Sequence, residues 1–456
     1  MGHGILILAG IPILLLLFEA IKEVDELLSL NLPVAGFGLV LLTIFFYLTD
    51  TFCNSIHVKM MAIISPAGNF FFSYFQMYYI PALVTIPKYI VNIDSSDLIK
   101  SLGIIVLGVP INMVLGGLAV YPFLIALPDD QLQLETVHVE RVNVRVDDDT
   151  NHGEKAKSVR KMISKVVQSF EYLVSVLLIL CLISLLVLYC SPPNSNMEYF
   201  SLQFTLLFSL VLLYKSFWKL QYKIFEISPF LSILFHPTLA TTVVELVLTY
   251  LIALMISRSY SDVATMIFSG AKFEFKHIGN YTTIGDILLY FLNVTVMCLS
   301  FPIYAKKKQM LSKFTALFGG CLIMAVFNLV TIVAVCNALK VTPFVAEVLV
   351  FKNIPTPIAV GDAGFIGAVP GLCGFVSVLS GIFGAVLFKL YKYMRCRAGV
   401  QLGVSIGSSS HLFGMYALSI SDSESSAYAF LTFVLIAVYY DFALSYINIR
   451  YLLSRA

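Results

Sequence analysis

Residues 314–338 read FTALFGGCLIMAVFNLVTIVAVCNA, an apolar run without one charged side chain. A helix needs roughly 20 apolar residues to cross the hydrocarbon core of a bilayer, and lipid satisfies no backbone N–H or C=O outside such a helix. Phe314–Ala338 is therefore expected to span a membrane. Runs of the same kind recur at Gly4–Phe18, Leu32–Leu48, Ala67–Ile90, Leu102–Leu127, Tyr172–Cys190 and Phe200–Leu213. They continue at Pro237–Ile256, Ile284–Tyr304, Gly371–Lys389 and Tyr428–Ile449. The expected fold class is an all-α polytopic membrane protein with about 11 spans. Its setting is the lipid bilayer of a plasma or organelle membrane.

Composition agrees with that reading. Only 12% of the 456 residues are charged, 59% are hydrophobic and the mean hydropathy is +0.89, whereas an ordinary soluble domain is about a quarter charged. A net charge of +2 gives no reason to expect a nucleic-acid partner. The eight cysteines are scattered singly with no CxxC or Cys/His spacing, so neither a metal, a cofactor nor a disulfide framework is expected. Met1-Gly2-His3 carries no lysine or arginine before the first apolar run, so an uncleaved first span is expected, without an organelle transit peptide.

The long polar stretch from Pro128 to Lys165 divides the chain. Asp, Asn, Gly and Lys dominate its middle, which predicts disorder over part of it. The expected organisation is a membrane module over 1–127, a polar cytoplasmic linker over 128–165, a connecting span in 166–198 and a second membrane module over 199–453. With the linker cytoplasmic, 19 of the 29 basic residues fall on that side, as retention of positive loops requires. The sequon Asn280-Tyr281-Thr282 then lies on the opposite face and makes Asn280 a glycosylation candidate.

Two apolar stretches, Val341–Val369 and Gly399–Ile420, are interrupted and read as broken or re-entrant helices. In the first, Phe351-Lys352-Asn353-Ile354-Pro355-Thr356-Pro357-Ile358-Ala359, two prolines two apart cannot both sit inside a regular helix. One helix should end near Phe351 and another begin around Pro357, turning free N–H groups into the membrane beside the Lys352 charge and the Thr356 hydroxyl. That cluster suits a carboxylate. The structural alternative is a proline kink with Lys352 reaching for the interface. In the second, Ser408-Ser409-Ser410-His411 lies among glycines. Close helix packing explains the glycines but not His411, since intramembrane ionisable groups usually face a pathway or a partner. Ser409, Ser410 and His411 are binding candidates, and His411 is also a proton acceptor candidate. Glu245 in mid-span and Asp362 after the proline break are further proton-coupling candidates, either able to pair with Lys352. Glu347 and Asp441 stand closer to expected helix ends, and Asn293 and Thr295 are polar positions in mid-span.

At these interruptions the chain resembles the LrgB/CidB membrane family. Lys352-Asn353-Ile354-Pro355-Thr356-Pro357-Ile358-Ala359 is similar to that family's Lys-Ser-Val-Thr-Thr-Pro-Ile-Ala. Ser409-Ser410-His411-Leu412-Phe413-Gly414-Met415-Tyr416 is similar to its Ala-Ser-His-Ala-Ile-Gly-Thr-Ala. His236-Pro237, Phe301-Pro302-Ile303-Tyr304 and Gly381-Ile382-Phe383-Gly384-Ala385 also fit. The first 127 residues resemble the LrgA/CidA partner family through Leu32-Pro33-Val34-Ala35-Gly36, Gly68-Asn69-Phe70-Phe71 and Tyr79-Ile80-Pro81-Ala82. Two such modules in one chain are similar to the plastidal glycolate/glycerate translocators of plants. The resemblance implies a carrier with inverted repeats in its C-terminal module and a small carboxylate substrate. Lys352, Thr356, Pro357, Ser409, Ser410, His411 and Asn293 would form its midplane site, and a homo-oligomer is compatible with it.

The chain also departs from the pattern. Asn293-Val294-Thr295 stands where the family has Gly-Pro-Ala, and Met415 and Ala417 replace a threonine and a basic residue, which puts the substrate in question. The competing expectation is a holin-like or murein-hydrolase-regulating membrane protein. An enzyme is not expected, because no HExxH or paired-carboxylate signature occurs.

Overall fold

A computed structural model describes residues 2–29, 32–125, 174–227, 235–270, 273, 282–387, 399–411, 413–415, 418 and 422–446. The 128–165 linker and Asn280 lie outside them. The described chain is helical, with no strand among its residues. Eight of its helices are long and apolar enough to cross a membrane by length and composition. The chain divides into two compact units, one of Met1–Pro128 with Phe268–Ala456 and one of Asp129–Ile267.

In the first unit, α1 (Gly2–Leu28), α2 (Val34–Phe52) and α3 (Asn54–Tyr78) open the chain. Ala67–Ile90, expected as one span, is instead the end of α3 followed by two five-residue pieces, α4 (Ile80–Val84) and α5 (Ile86–Ile90). Each piece carries proline in its first turn, Pro81 and Pro87, where the missing N–H and the ring break the ladder to the preceding turn. The long α6 (Ser95–Ile125) follows. The second unit holds α7 (Val174–Cys190), α8 (Asn196–Ile227), α9 (Pro237–Met255) and α10 (Tyr260–Ile267). There Arg258 binds Glu198 with a 2.9 Å Nε–Oε1 contact and donates to Asn194 Oδ1 at 2.7 Å, which ties the start of α8 to the end of α9.

The first unit resumes with α11 (Ile284–Cys298), α12 (Ser300–Ala305), α13 (Lys307–Ser312) and α14 (Phe314–Ala338). The latter matches its sequence bounds. Then come the broken elements. Here α15 (Pro343–Leu349) tightens into a 3₁₀ turn at Val350–Asn353, and Ile354 is extended at φ −104°, ψ 145°. A new helix, α16 (Thr356–Asp362), starts beyond Pro355 and ends in a second 3₁₀ turn closed by Gly367 at φ +63°. Finally α17 (Pro370–Leu387), α18 (Gly399–Ser409) and α19 (Ser423–Tyr446) complete the unit. At 11 residues, α18 covers only about 16 Å, half the hydrocarbon thickness.

Glycine sets how closely these helices pack. α18 lies between α19 and α6. A Cβ on Gly403 would stand 2.4 Å from Tyr428 Cβ and 2.9 Å from the Ala429 backbone nitrogen. One on Gly116 of α6 would meet Ser405 Cα at 2.8 Å. Lipid supplies no hydrophobic drive between helices, so close backbone approach of this kind holds them together. Gly403→Leu should cost about 1–3 kcal/mol through overpacking, read as a lower unfolding midpoint in detergent. Gly103→Ala is the control, since nothing lies within 4 Å of that position.

Candidate functional site

The proline break leaves Lys352 on a 3₁₀ turn inside the protein, 6% exposed. Its ammonium has three N–H donors. One reaches Asn353 Oδ1 at 3.2 Å, and no carboxylate lies within ion-pair distance of it among the described residues. Room for it comes from α6: a Cβ on Gly108 would stand 2.8 Å from Lys352 Nζ. A buried cation with one neutral acceptor is costly, and an arriving anion would relieve that cost.

Thr356 opens α16 with Pro357 beside it, both buried. The Thr356 hydroxyl meets Ser377 Oγ of α17 at 3.0 Å, and Ser377 donates to the Ile354 carbonyl at 2.6 Å. Ser377 thus locks the extended residues between the two helical pieces. With seven residues, α16 contributes little dipole, so the positive character of the site resides on Lys352.

The second interruption meets the first through the backbone. His411, 3% exposed, sets its Nε2 3.3 Å from the Lys352 carbonyl oxygen, while Nδ1 has no partner among the described residues. His411 sits at φ +48°, in the left-handed region that L side chains avoid. Conformations of this kind concentrate at ligand clamps and switches. The serines behave differently. Ser408 and Ser409 donate back to the Ser405 carbonyl at 3.1 and 2.8 Å, and Ser410 is packed where a Cβ on Gly384 would be 2.1 Å from its Oγ. Those hydroxyls close the helix end and fit it against α17. Ser405, which the sequence did not mark, donates to the Met113 carbonyl of α6.

Asn293 on α11 faces α16, since a Cβ on Gly361 would stand 2.9 Å from its Oδ1. Asp362, at the end of α16, meets Asp441 of α19 side chain to side chain, both about 95% buried. Two carboxyls share a hydrogen bond only when one carries a proton. Gly36 of α2 closes over them, a Cβ there falling 1.7 Å from Asp441 Oδ2. Glu245 belongs to the second unit and is described below. Sequence reasoning did not find Gly108, Ser377 or Ser405. Their signal, small or hydroxyl residues inside apolar spans, was present but indistinguishable from packing.

The break is closed. A void of about 10 Å³ lies against Pro355 and Pro357, too small for an organic acid. An open cavity of about 680 Å³, lined by Tyr89, Asn92, Asp94, Thr342 and Phe344, stands where α15 begins. From it α15 runs directly to the Lys352 turn.

Comparison with known proteins places these residues in context. The sequence model of the LrgB-like family matches residues 216–449. The holin-like protein CidB of Staphylococcus aureus is 23% identical over 155 residues, 34% of this chain and 68% of that protein. CidB of Staphylococcus epidermidis is 24% identical over the same shares. The uncharacterized protein YxaC of Bacillus subtilis is 25% identical over 124 residues, 27% of this chain and 54% of that protein. No solved structure matches the chain.

Proposed function

The chain belongs to the LrgB-like family, and from that premise we propose that it is a membrane carrier for small organic anions, hydroxy acids of the glycolate or glycerate kind, moved together with protons. The observation that carries this reading is the buried Lys352 ammonium, held between two broken helices with one neutral acceptor. Broken helices meeting inside the membrane are the usual device by which carriers bind ions and release them to either side. A lone cation there recognises a carboxylate; Thr356 and the Nδ1 of His411 are polar groups at the two breaks, and Asn293 faces α16 from α11. Ser409 and Ser410 shape the site through packing. The Asp362–Asp441 pair would exchange the coupled proton. The substrate is the small carboxylate and the lipid bilayer is the constant partner; a homo-oligomer remains compatible.

A second reading is favoured by the names of the relatives, which are holin-like proteins. In it the chain would form oligomeric pores or regulate murein hydrolases. The two readings part in one experiment on the full chain in proteoliposomes loaded with buffer or a small dye. A carrier gives saturable uptake of one or more two- and three-carbon hydroxy acids and retains the dye. Dye leakage without saturable uptake would sink the carrier reading and leave the pore.

A further inference from the structure

The second unit contains a polar seam that the carrier site does not use. On α9, Thr241, Glu245 and Thr249 recur at i, i+4 and i+8, so they share one face. All three are at least 98% buried. Thr241 Oγ1, Thr249 Oγ1 and Glu245 Oε1 have no hydrogen-bond partner among the described residues. That is unusual, because a buried threonine in a helix ordinarily donates to the carbonyl four residues back. Its neighbour Thr242 does so, to Thr238 at 2.7 Å. Thr205 on α8 does so as well, to Ser201 at 2.8 Å.

The facing helix supplies the second clue. Ser209 of α8 lies within hydrogen-bonding reach of the Glu245 carboxyl. Yet the Ser209 proton is used on the Leu206 carbonyl at 3.0 Å. With that proton engaged, Ser209 offers Glu245 a lone pair, which faces the acid favourably only across a positive centre, either a proton on Glu245 or a bound cation. No lysine or arginine is paired with Glu245 among the described residues.

We propose that Glu245, Ser209 and Thr241 form a binding site for a monovalent hard cation, sodium, with Thr249 as a further oxygen one turn along. The donor set is all oxygen, which suits a hard ion and not a transition metal. A single carboxylate balances a single charge, which selects a monovalent ion over calcium or magnesium in a low-dielectric interior. Helical side chains lean toward the N-terminus, so Glu245 reaches toward Thr241 before Thr249. A proton on Glu245 would also neutralise the acid, but it leaves the Thr241 and Thr249 hydroxyls without a role. The site does not depend on the carrier reading.

The test is thermal unfolding of the purified full chain in detergent, at fixed pH and ionic strength, in sodium, potassium or choline chloride. Sodium well above its dissociation constant should raise the unfolding midpoint by roughly 5 °C over choline. Glu245→Gln and Thr241→Val should lose that increment, and Thr242→Val, whose hydroxyl is already bonded, should keep it. Radioactive sodium binding to the wild-type chain, competed by unlabelled sodium, supplies a readout independent of the variants. A wild-type protein that treats sodium and choline alike, or that responds to pH alone with no sodium increment, would overturn the proposal. So would Glu245→Gln retaining the increment.

Discussion

Lys352→Met should reduce carboxylate uptake at least 100-fold while leaving the protein folded. Removing one partner of a buried charge pair typically costs about 3–5 kcal/mol, and each 1.4 kcal/mol or so is tenfold in affinity. Methionine keeps the unbranched stem and fills the space beside Gly108, so no cavity is created. Without substrate the ammonium has, among the described residues, only the Asn353 amide oxygen, so the variant should be as stable as the wild type or more so. The two measurements are saturable uptake into proteoliposomes and the unfolding midpoint in detergent. Uptake at the wild-type rate would remove Lys352 from the site. Loss of uptake together with loss of folding would assign it a structural role instead.

The second large effect is expected at the acid pair. Asp441→Asn should leave exchange of substrate across equal pH intact, yet lower accumulation driven by a proton gradient by about tenfold or more. The amide can still donate to an ionised Asp362, so the contact survives while the exchangeable proton is lost. Asp441→Glu should fail for another reason. Gly36 already lies against Asp441 Oδ2, and a longer side chain has nowhere to go. Exchange and gradient-driven accumulation measured on the same vesicles separate the two roles. Undiminished gradient-driven accumulation by Asp441→Asn would exclude the pair from coupling.

Much of this architecture is legible in the sequence because lipid imposes a simple rule. Phe314–Ala338 begins and ends where its apolar run does, since nothing but length and polarity decides it. The break at Pro355 and Pro357 is equally plain, because two prolines two apart leave the backbone no regular alternative. Ala67–Ile90 was harder. Its composition is that of a span, and only the positions of Pro81 and Pro87 mark the pieces. The candidate site was legible as residue types and not as partners. Sequence alone allowed Asp362 to pair with Lys352, whereas in space it meets Asp441. Ser409 and Ser410 read as binding groups, yet the Ser409 hydroxyl turns back to Ser405 and Ser410 packs against Gly384. Which polar group a hydroxyl chooses depends on the distance to its neighbours, and periodicity carries no information about that.

The walls of the candidate site come from both ends of the chain. The part matched by the family starts at residue 216. Even so, Gly108 makes room for Lys352, Met113 accepts from Ser405, and Gly36 closes over Asp441. All three contributors precede that stretch. The two portions of the gene are therefore constrained to drift in step. A substitution at Gly36 or Gly108 should be tolerated only with a compensating change at Asp441 or Lys352, and suppressor genetics should recover the two as linked pairs.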